Sequence, residues 1–359
     1  MNNGFFGFPS STDTNIISVK EYDTSGTYAI PSNAKRIMIF AVGGGGGGGG
    51  GVRRVATSGS AGGVGGNAGC YVLTELPIKA FANIKTLSII IGAGGVGGIG
   101  ATADSTSPAA STPGGNTEVW VPGKNAPILM AGGNVGGGGG LGTGLSSNPV
   151  SATSVGISIL FGHPFVQVSD RVDSIGMSPV SQPYQIVSYA LDKIGGAGGY
   201  SSGTSGTNSG VTGGSIRLIS CFECGGAGGG SLHSNTAAGA GGSITALRST
   251  DLIAAERYYS TFTSTNFAAG STYCAGGLPN GGTAGESGNT LINPDAMFSS
   301  GVGGAGGGGG ATGAGNRAGN GGNGYRGGGG GGGGGSANGV SAGNGGNGGN
   351  GYVKILAIG

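Results

Sequence analysis

The sequence predicts an all-β protein with a β-sandwich or jelly-roll-like core, glycine-rich loops and polyglycine II helices. Three observations lead to this fold class. Glycine supplies 94 of the 359 residues, about a quarter of the chain against a typical share of about 7%. Short β-prone apolar runs each end in glycine, and the glycine-rich C-terminal stretch has a period of three residues.

The composition of the chain excludes several other classes of protein. Disordered chains combine high net charge with low hydrophobicity, whereas this chain has a net charge of +2 and a mean hydropathy of +0.09. Collagen requires glycine at every third position with abundant proline, but here glycines form unbroken runs and prolines number 13. No apolar stretch is long enough for a membrane helix, and residues 1–6 lack signal-peptide features. We therefore expect synthesis in a cytoplasm and no nucleic-acid partner.

Residues 1–27 differ from the rest because they are poor in glycine and contain the apolar segment 15–19. They form either an arm that docks on a partner or an N-terminal edge strand, and the sequence leaves both open. We assign residues 28–359 to a glycine-rich β domain. Its predicted strands are 35–42, 69–73, 86–95, 116–121 and 127–133, with 352–358 as the closing strand.

The middle of the chain, residues 145–300, has a more ordinary composition. A single helix is predicted there, over 247–259, because Leu252, Ala255 and Tyr259 share one helical face. The strand candidates of this part are 157–161, 165–168, 185–189 and 215–220.

Residues 300–351 carry the regularity that predicts polyglycine II structure. A period of three fits neither an α-helix nor a strand, but it fits a polyproline II helix, which has three residues per turn. Such a helix has no internal hydrogen bonds, so its backbone must pair sideways with neighbours. Two of its three edges must then be glycine, and the third can carry a polar side chain toward solvent or ligand. A flexible glycine–asparagine linker is the alternative. The residues spaced by three are Ser341, Asn344, Asn347 and Asn350, and Arg317, Asn320, Asn323 and Arg326.

Glycine and cysteine motifs give no support for a cofactor or metal site. Phosphate-loop patterns match only because glycine is abundant, and no G-x-x-x-x-G-K-[ST] sequence occurs. Cys221 and Cys224 form a single C-x-x-C pair, which we interpret as core residues rather than half of a zinc site.

Histidines and paired acids give no support for catalysis. His163 lies in a Phe-Gly-His-Pro-Phe segment that is typical of a turn, and neither it nor His233 has the setting of a catalytic triad. The acidic pairs, which a glycosidase would need in a cleft, are typical of solvated loops. These pairs are Asp170 with Asp173 and Asp251 with Glu256. The sequence therefore predicts a protein that is not an enzyme.

Polar residues of the glycine-rich stretches are instead candidates for partner binding. One Arg-Gly element after Tyr325 is too few for an RNA-binding array, and each candidate has the alternative explanation of a solvated loop tip. The candidates are Arg53, Arg54, Arg317, Asn320, Asn323, Tyr325, Arg326, Asn344, Asn347 and Asn350.

Several segments together resemble the glycine-rich domain of bacteriophage tail-fibre and related virion proteins. They are a Y-x-I-P strand that leads into polyglycine, a G-C-Y-V-L strand, an I-I-I-G-A-G-G strand end and a closing G-Y-V-K-I. More distantly, the chain is similar to tail-tip adhesins built on packed polyglycine II helices. The matching positions are 28–51, 69–73, 89–95, 128–133 and 303–358.

The resemblance implies a virion protein with a β-scaffold, commonly assembled as a trimer. The implied partners are other virion proteins and a host surface polysaccharide or outer-membrane protein. We expect a tail-fibre or receptor-binding protein that gives a rigid scaffold for attachment. The alternative is a purely structural capsid-decoration or tail component with no receptor role. A cell-wall or matrix protein is disfavoured because no signal peptide is visible.

Overall fold

Within the described residues, β-strands and one short 3-10 helix are the assigned helices and strands. The computed structural model describes residues 15–55, 60–81, 83–134, 136–137, 157–160, 163–165, 213, 216–218, 225–233, 237–246, 272–279, 282–289, 301–310, 317–337 and 340–359. A short 3-10 helix spans Ile78–Phe81, and no α-helix occurs in these ranges. The predicted all-β class is therefore confirmed. The strands are β1 (Ile16–Tyr22), β2 (Gly26–Ala29), β3 (Arg36–Val42), β4 (Arg53–Arg54), β5 (Tyr71–Pro77), β6 (Thr86–Ile90), β7 (Thr117–Trp120), β8 (Leu129–Ala131), β9 (Ile157–Leu160), β10 (His163–Phe165), β11 (Ile216–Leu218), β12 (Leu232–His233), β13 (Ala237–Ala238), β14 (Ile244–Ala246), β15 (Thr272–Cys274), β16 (Ser336–Ala337) and β17 (Tyr352–Ile358).

Two antiparallel sheets contain the longest strands. The first has the order β1-β17-β3-β5, so the C-terminal strand lies between strands from the start of the chain. The second has the order β10-β9-β8-β7-β6-β2, in which β6 to β10 follow one another as a meander. The smaller sheets are β11-β14-β15, β12-β13 and β16-β4.

The two large sheets pack face to face around one apolar core. Side chains of a strand alternate between the two faces of its sheet, and every second residue of β3 and β17 joins this core. The first sheet contributes Ile37, Ile39, Ala41, Val72, Leu76, Val353, Ile355 and Ala357. The second sheet contributes Tyr28, Leu87, Ile89, Val119, Leu129 and Ala131. The predicted sandwich is therefore present.

The opposite face of the first sheet is buried as well. Met38, Phe40 and Val42 of β3 belong to a second apolar cluster with Tyr71 and Tyr352. The Phe40 ring centroid lies 6.2 Å from that of Tyr71 and 6.4 Å from that of Tyr352. Burial of both faces explains why β3 reads as a continuous apolar run rather than as an alternating one.

Most of the strands predicted from sequence coincide with observed strands. The predictions 35–42 and 352–358 correspond to β3 and β17, and those for β7 and β11 also hold. The predicted strands 86–95 and 127–133 are longer than β6 and β8, because the glycines at their ends bond to other glycine-rich segments instead of continuing a sheet. Near residue 70 the strand begins later than predicted and extends to Pro77. His163 was expected in a turn but instead pairs with Leu160 at the start of β10. The predicted helix 247–259, the strand candidate 185–189, Cys221 and Cys224 lie outside the described residues.

The N-terminal segment pairs with the sandwich from its first described strand. β1 lies at the edge of the first sheet and pairs antiparallel with β17, from Tyr22 opposite Val353 to Ile16 opposite Ile358. Of the two alternatives for residues 1–27, the structure therefore shows an edge strand over Ile16–Tyr22. Residues 1–14 lie outside the described part of the chain.

The residues that follow the sandwich strands are mostly glycines, and there the backbones of the two sheets hydrogen-bond to each other directly. Gly43 N–H continues the β3–β5 ladder by donating to Cys70 O at 2.8 Å. Gly44 N–H, one residue later, donates at 2.9 Å to Gly115 O, which precedes β7 of the other sheet. Packed sheets are normally about 10 Å apart because side chains fill the space between them. Direct backbone bonding between the sheets therefore requires glycine.

The glycine-rich segments beyond this boundary form one hydrogen-bonded lattice. Partners change at every residue and recur at every third residue, as three-fold polyproline II geometry requires. Only Gly123, Gly282 and Gly327 among the described glycines have a positive φ. We number the segments pg1 (43–52), pg2 (60–69), pg3 (92–101), pg4 (109–115), pg5 (132–134 and 136–137), pg6 (225–231), pg7 (239–242), pg8 (283–288), pg9 (301–310), pg10 (318–325), pg11 (327–336) and pg12 (341–351).

The two longest glycine runs are interior helices of this lattice. Nine unbroken glycines occur at 43–51 and again at 327–335. The N–H groups of pg1 donate in turn to pg2, pg4 and pg12, and its carbonyls accept from pg3, pg5 and pg11, which makes six neighbours. Helix pg11 likewise bonds to six helices: pg1, pg2, pg6, pg9, pg10 and pg12. An unbroken glycine run therefore corresponds to a helix surrounded on all sides.

Steric contacts explain why these interior helices tolerate no side chain. A Cβ added at Gly331, Gly332 or Gly333 would lie under 3.0 Å from backbone carbonyl oxygens of three different neighbours. In pg12 the same holds for Gly345 and Gly346, while every third residue points away from the lattice. The expected division into two glycine edges and one polar edge is thus observed, and it extends well beyond 300–351.

Candidate partner-binding face

Four edge helices lie side by side and expose one row of side chains each. The order is pg3, pg12, pg10 and pg8, because Gly348 N–H donates to Gly95 O, Gly321 N–H to Asn344 O and Gly285 N–H to Asn320 O, each at 2.8–2.9 Å. Five exposed asparagines occupy the two central rows. We call this surface the amide face and define it by Asn320, Asn323, Asn344, Asn347 and Asn350.

Each asparagine of the amide face binds the backbone of the next helix through its side-chain oxygen. The Oδ1 atoms of Asn344, Asn347 and Asn350 accept from the N–H groups of Gly100, Gly97 and Gly94 of pg3, at 2.8–2.9 Å. In pg12 itself, Asn344 N–H donates to Asn320 Oδ1 at 2.9 Å and Asn347 N–H to Asn323 Oδ1 at 2.8 Å. Ser287 Oγ of pg8 accepts in the same way from Asn323 N–H at 3.0 Å.

These bonds supply the acceptors that the lattice lacks at its edge. Inside the lattice, the carbonyl of a neighbouring helix receives each N–H, but the outermost N–H groups have no further helix to bind. A side-chain amide one helix away replaces that missing carbonyl, as capping side chains do at helix ends. Asn116 does the same elsewhere, since its Oδ1 accepts from Gly133 N–H at 3.0 Å. The asparagines that recur every third residue therefore do two things: they occupy the exposed edge of the helix, and they accept hydrogen bonds from backbone N–H groups of the next helix.

An apolar row that begins at the end of β6 and continues along pg3 borders the amide face. Ile90, Ala93, Val96 and Ile99 follow one another at the same three-residue spacing and are all exposed. Val96 and Ile99 expose 60% and 61% of their surface, which is unusual for aliphatic side chains. The row lies beside the asparagines of pg12 because pg3 and pg12 are directly hydrogen-bonded.

The predicted site residues divide into two groups in the structure. Arg317 precedes Asn320 in the same three-residue register and is exposed, so it lies with the five asparagines. Arg53 and Arg54 form the short strand β4, which pairs in parallel with β16. Arg53 Nε donates to Asp104 Oδ1 at 2.7 Å, and its Nη1 donates to the Thr102 carbonyl. Partner binding by any of these residues stays a prediction.

Arg326 is held in a tight turn rather than presented at a loop tip. It has a φ of 34° and Gly327 has a φ of 87°, and Gly328 N–H donates to Tyr325 O at 2.8 Å. Two positive φ values in succession are typical of a type I′ turn. This turn reverses the chain from pg10 into pg11.

The Arg326 side chain ties this turn to the N-terminal edge of the sandwich. Its Nε and Nη2 donate to the two carboxylate oxygens of Asp23, each at 2.7 Å, and Nη1 donates to Glu21 at 3.3 Å. The guanidinium lies 4.2 Å from the ring centroid of Tyr352 and 5.3 Å from that of Tyr325. Only 13% of the Arg326 side chain is exposed.

The same cluster perturbs the titration of two of its members. Burial raises the pKa of the Tyr352 hydroxyl above its ordinary value, and the Glu21 charge adds to this effect. Burial would raise the pKa of Glu21, but hydrogen bonds with Tyr352 and Lys354 and the charges of Lys354 and Arg326 outweigh it. The pKa of Glu21 is therefore lowered.

Sequence reasoning missed the apolar row and the extent of the lattice. The signal was present as I-G-A-G-G-V-G-G-I at 91–99, which has the same period as the asparagine repeats. It was hidden because an apolar run that ends in glycine also predicts a strand followed by a loop. The hydrogen bonds of the asparagine oxygens carry no sequence signal at all.

Metal-binding clusters and membrane-spanning helices were sought in the described residues. No group of three or more His, Cys, Asp or Glu side chains converges within them. No helix in these ranges is long and apolar enough to cross a membrane. Burial, with the nearby charge of Glu286, raises the pKa of Cys274 to about 12, so this thiol stays protonated and unreactive.

Comparison with protein families places the chain by its glycine-rich part. The family model described as "Glycine-rich domain" matches residues 21–243, which is more than half of the 359 residues. The chain belongs to this glycine-rich domain family. The matched range contains strands β2 to β10 and helices pg1 to pg7, yet pg1 bonds directly to pg11 and pg12 near the C-terminus. No curated protein matches the sequence.

Proposed function

We propose that this glycine-rich domain protein is a bacteriophage virion structural protein of the tail-fibre or receptor-binding type. Its role is to present a binding face to a host surface on a scaffold that does not bend. The observation that carries the proposal is the amide face, in which five exposed side chains are fixed by bonds to a lattice of backbones. The resemblance of segments such as 28–51 and 303–358 to phage tail-fibre domains supplies the biological setting.

Rigidity supports this role. Interior helices such as pg1 and pg11 bond to six neighbours each, so no helix can shift without breaking bonds on several sides. A rigid scaffold loses little conformational entropy on binding, which favours affinity. In a homotrimer, and with several fibres on one particle, weak individual contacts add up to tight attachment. No catalytic step is part of this mechanism.

A purely structural capsid-decoration or tail component is the second candidate. The observation that favours it is the engagement of all five Oδ1 atoms of the amide face with backbone N–H groups. On this view the asparagines end the lattice and bind no receptor. The protein would then contact other virion proteins only.

Labelling of intact particles tests both candidates. Gold-conjugated antibodies against the purified protein are applied to virions of the phage that encodes it, and the particles are imaged by electron microscopy. We expect label on the tail fibres, and purified protein should compete with adsorption to host cells. Label on the capsid without competition supports the structural candidate. Particles without label overturn both.

A further inference from the structure

We propose that the amide face binds a polysaccharide, whose oxygens accept hydrogen bonds from the outward Nδ2 groups while its C–H surfaces pack on the apolar row. The inference rests on the proposed function and names the chemical class of its ligand. It depends on the orientation of five side-chain amides and on the position of Val96 and Ile99 beside them.

The lattice fixes which end of each amide points outward. A backbone N–H can donate only to the oxygen of an asparagine, never to its NH2 group. Because every Oδ1 of the amide face accepts from such an N–H, the NH2 group of each asparagine must lie on the opposite side of the amide. None of these NH2 groups donates to another group of the described residues. The asparagines therefore present both N–H donors of each amide to the solvent, while one of the two lone pairs of each Oδ1 is used by the lattice.

The donors form a regular array. Successive asparagines of one helix are three residues apart, which at a rise of roughly 3.1 Å per residue is about 9 Å. Asn347 and Asn323 lie on adjacent helices and are joined by one hydrogen bond. A repeating polymer matches such an array better than a small molecule does, because each repeat can meet an equivalent pair of donors.

The chemistry of the face favours a sugar polymer over a nucleic acid or a peptide. Arg317 and Glu286 are the exposed charged side chains of the pg10 and pg8 rows, and their charges cancel. Nucleic acids need a clear excess of positive charge. Sugars instead combine many hydroxyl oxygens with apolar C–H faces, which suits an amide row beside the Val96 and Ile99 row.

Substitution of asparagine by aspartate separates lattice capping from ligand binding. In Asn347→Asp the carboxylate still accepts from Gly97 N–H, so the edge stays capped, but the outward donor becomes an acceptor. Asn116→Asp is the matched control, because Asn116 also caps a lattice N–H, is exposed and lies outside the amide face. Both variants carry the same change in net charge.

Affinity electrophoresis through gels that contain dextran, alginate or a soluble N-acetylglucosamine polymer measures the binding. We expect the native protein to be retarded by at least one polymer, and the dissociation constant of Asn347→Asp to rise at least tenfold while that of Asn116→Asp is unchanged. The dextran and alginate gels separate neutral from uronate ligands. Equal retardation of native protein and Asn347→Asp overturns the proposal, as does the absence of retardation in all three gels.

The aliphatic row provides a second test. Ile99→Ser should weaken retardation by the same polymer without altering the unfolding midpoint by more than a few degrees, since Ile99 is largely exposed. If Ile99→Ser instead converts an oligomer to a monomer in size-exclusion chromatography, the row contacts a second copy and the proposal fails. Tail-fibre label on virions together with no polymer binding would overturn this inference and leave the proposed function standing.

Discussion

The sandwich and the glycine lattice are stabilised in opposite ways, although the same chain runs from one into the other. In the sandwich, side chains such as Ile39 and Leu87 fill the space between two sheets and bury apolar surface. In the lattice, that space is removed, and the backbones of both sheets bond directly, as from Gly44 to Gly115. Burial of apolar area stabilises the first region, and close backbone packing stabilises the second.

This difference teaches that glycine is here a packing residue. Glycine loses more backbone entropy on folding than any other residue, so a segment such as 327–335 has no local reason to be ordered. Order comes from the lack of Cβ, which lets an interior helix such as pg11 approach six others. A cost in entropy at every residue is offset by a hydrogen bond at nearly every residue, in three directions.

The largest effect on stability is expected when a methyl group is added to an interior helix of the lattice. In Gly331→Ala the new Cβ would lie under 3.0 Å from the Ala305 carbonyl oxygen, and rigid backbone cannot give way as a flexible side chain can. We expect a loss of more than about 3 kcal/mol of unfolding free energy, at the upper end for overpacked sites, measured by denaturant unfolding. The control Val96→Ala, on the outward edge of pg3, removes exposed side-chain carbon that makes no hydrogen bond, and it should change stability by less than about 0.5 kcal/mol. Equal losses in the two variants would contradict the lattice.

Truncation of a buried side chain in the sandwich core should have the next largest effect on the unfolding free energy. Leu87 is fully buried between the sheets, so Leu87→Ala leaves a cavity and should cost about 2–4 kcal/mol. The measurement is again denaturant unfolding, with amide hydrogen exchange to locate the change. Loosened exchange in pg11 but not in β6 and β7 would show that the two regions are not separable as described.

A smaller effect is expected at the turn that joins the two regions. Arg326→Ala removes the contacts with Asp23 and Tyr352 and keeps a positive φ at a residue with a Cβ, and we expect a loss of about 1–2 kcal/mol. Arg326→Gly loses the same contacts but adopts the positive φ without strain, so it should be less destabilised in thermal unfolding. If both variants match the native protein, the cluster contributes nothing to stability.

The smallest effect is a dependence on pH from Glu21. Its pKa is lower in the folded protein than in the unfolded chain, so its ionised form stabilises the fold above the unfolded value, which is about 4.3. That contribution is lost as the pH falls through the folded pKa. Unfolding midpoints recorded from pH 6 down to pH 3 should fall less steeply for Glu21→Gln than for the native protein. An identical slope would show that ionisation of Glu21 does not contribute to the stability of the folded protein.

Local pattern was sufficient to predict most of the sandwich. The strands at 36–42 and 352–358 were predictable because each is an apolar, β-prone run next to glycine. Such a run is stabilised as a strand when its side chains are buried against a second sheet. The repeat of Asn344, Asn347 and Asn350 predicted the three-fold helix of pg12, because only one edge of that helix lacks glycine. The same reasoning treated 43–51 as a loop, since an unbroken glycine run has no visible period, and it read 92–95 as the end of a strand, since an apolar run precedes them.

The sequence by itself determined where side chains are allowed, and with that the strands, the interior helices and the outward edges. Tertiary structure alone decided which backbones meet: that pg1 bonds to pg11 across most of the chain, that Arg326 reaches Asp23, and that asparagine oxygens close the edge of the lattice. The physical reason is that glycine backbones are chemically identical. Their pairing is therefore set by the register of the sandwich strands that lead into them.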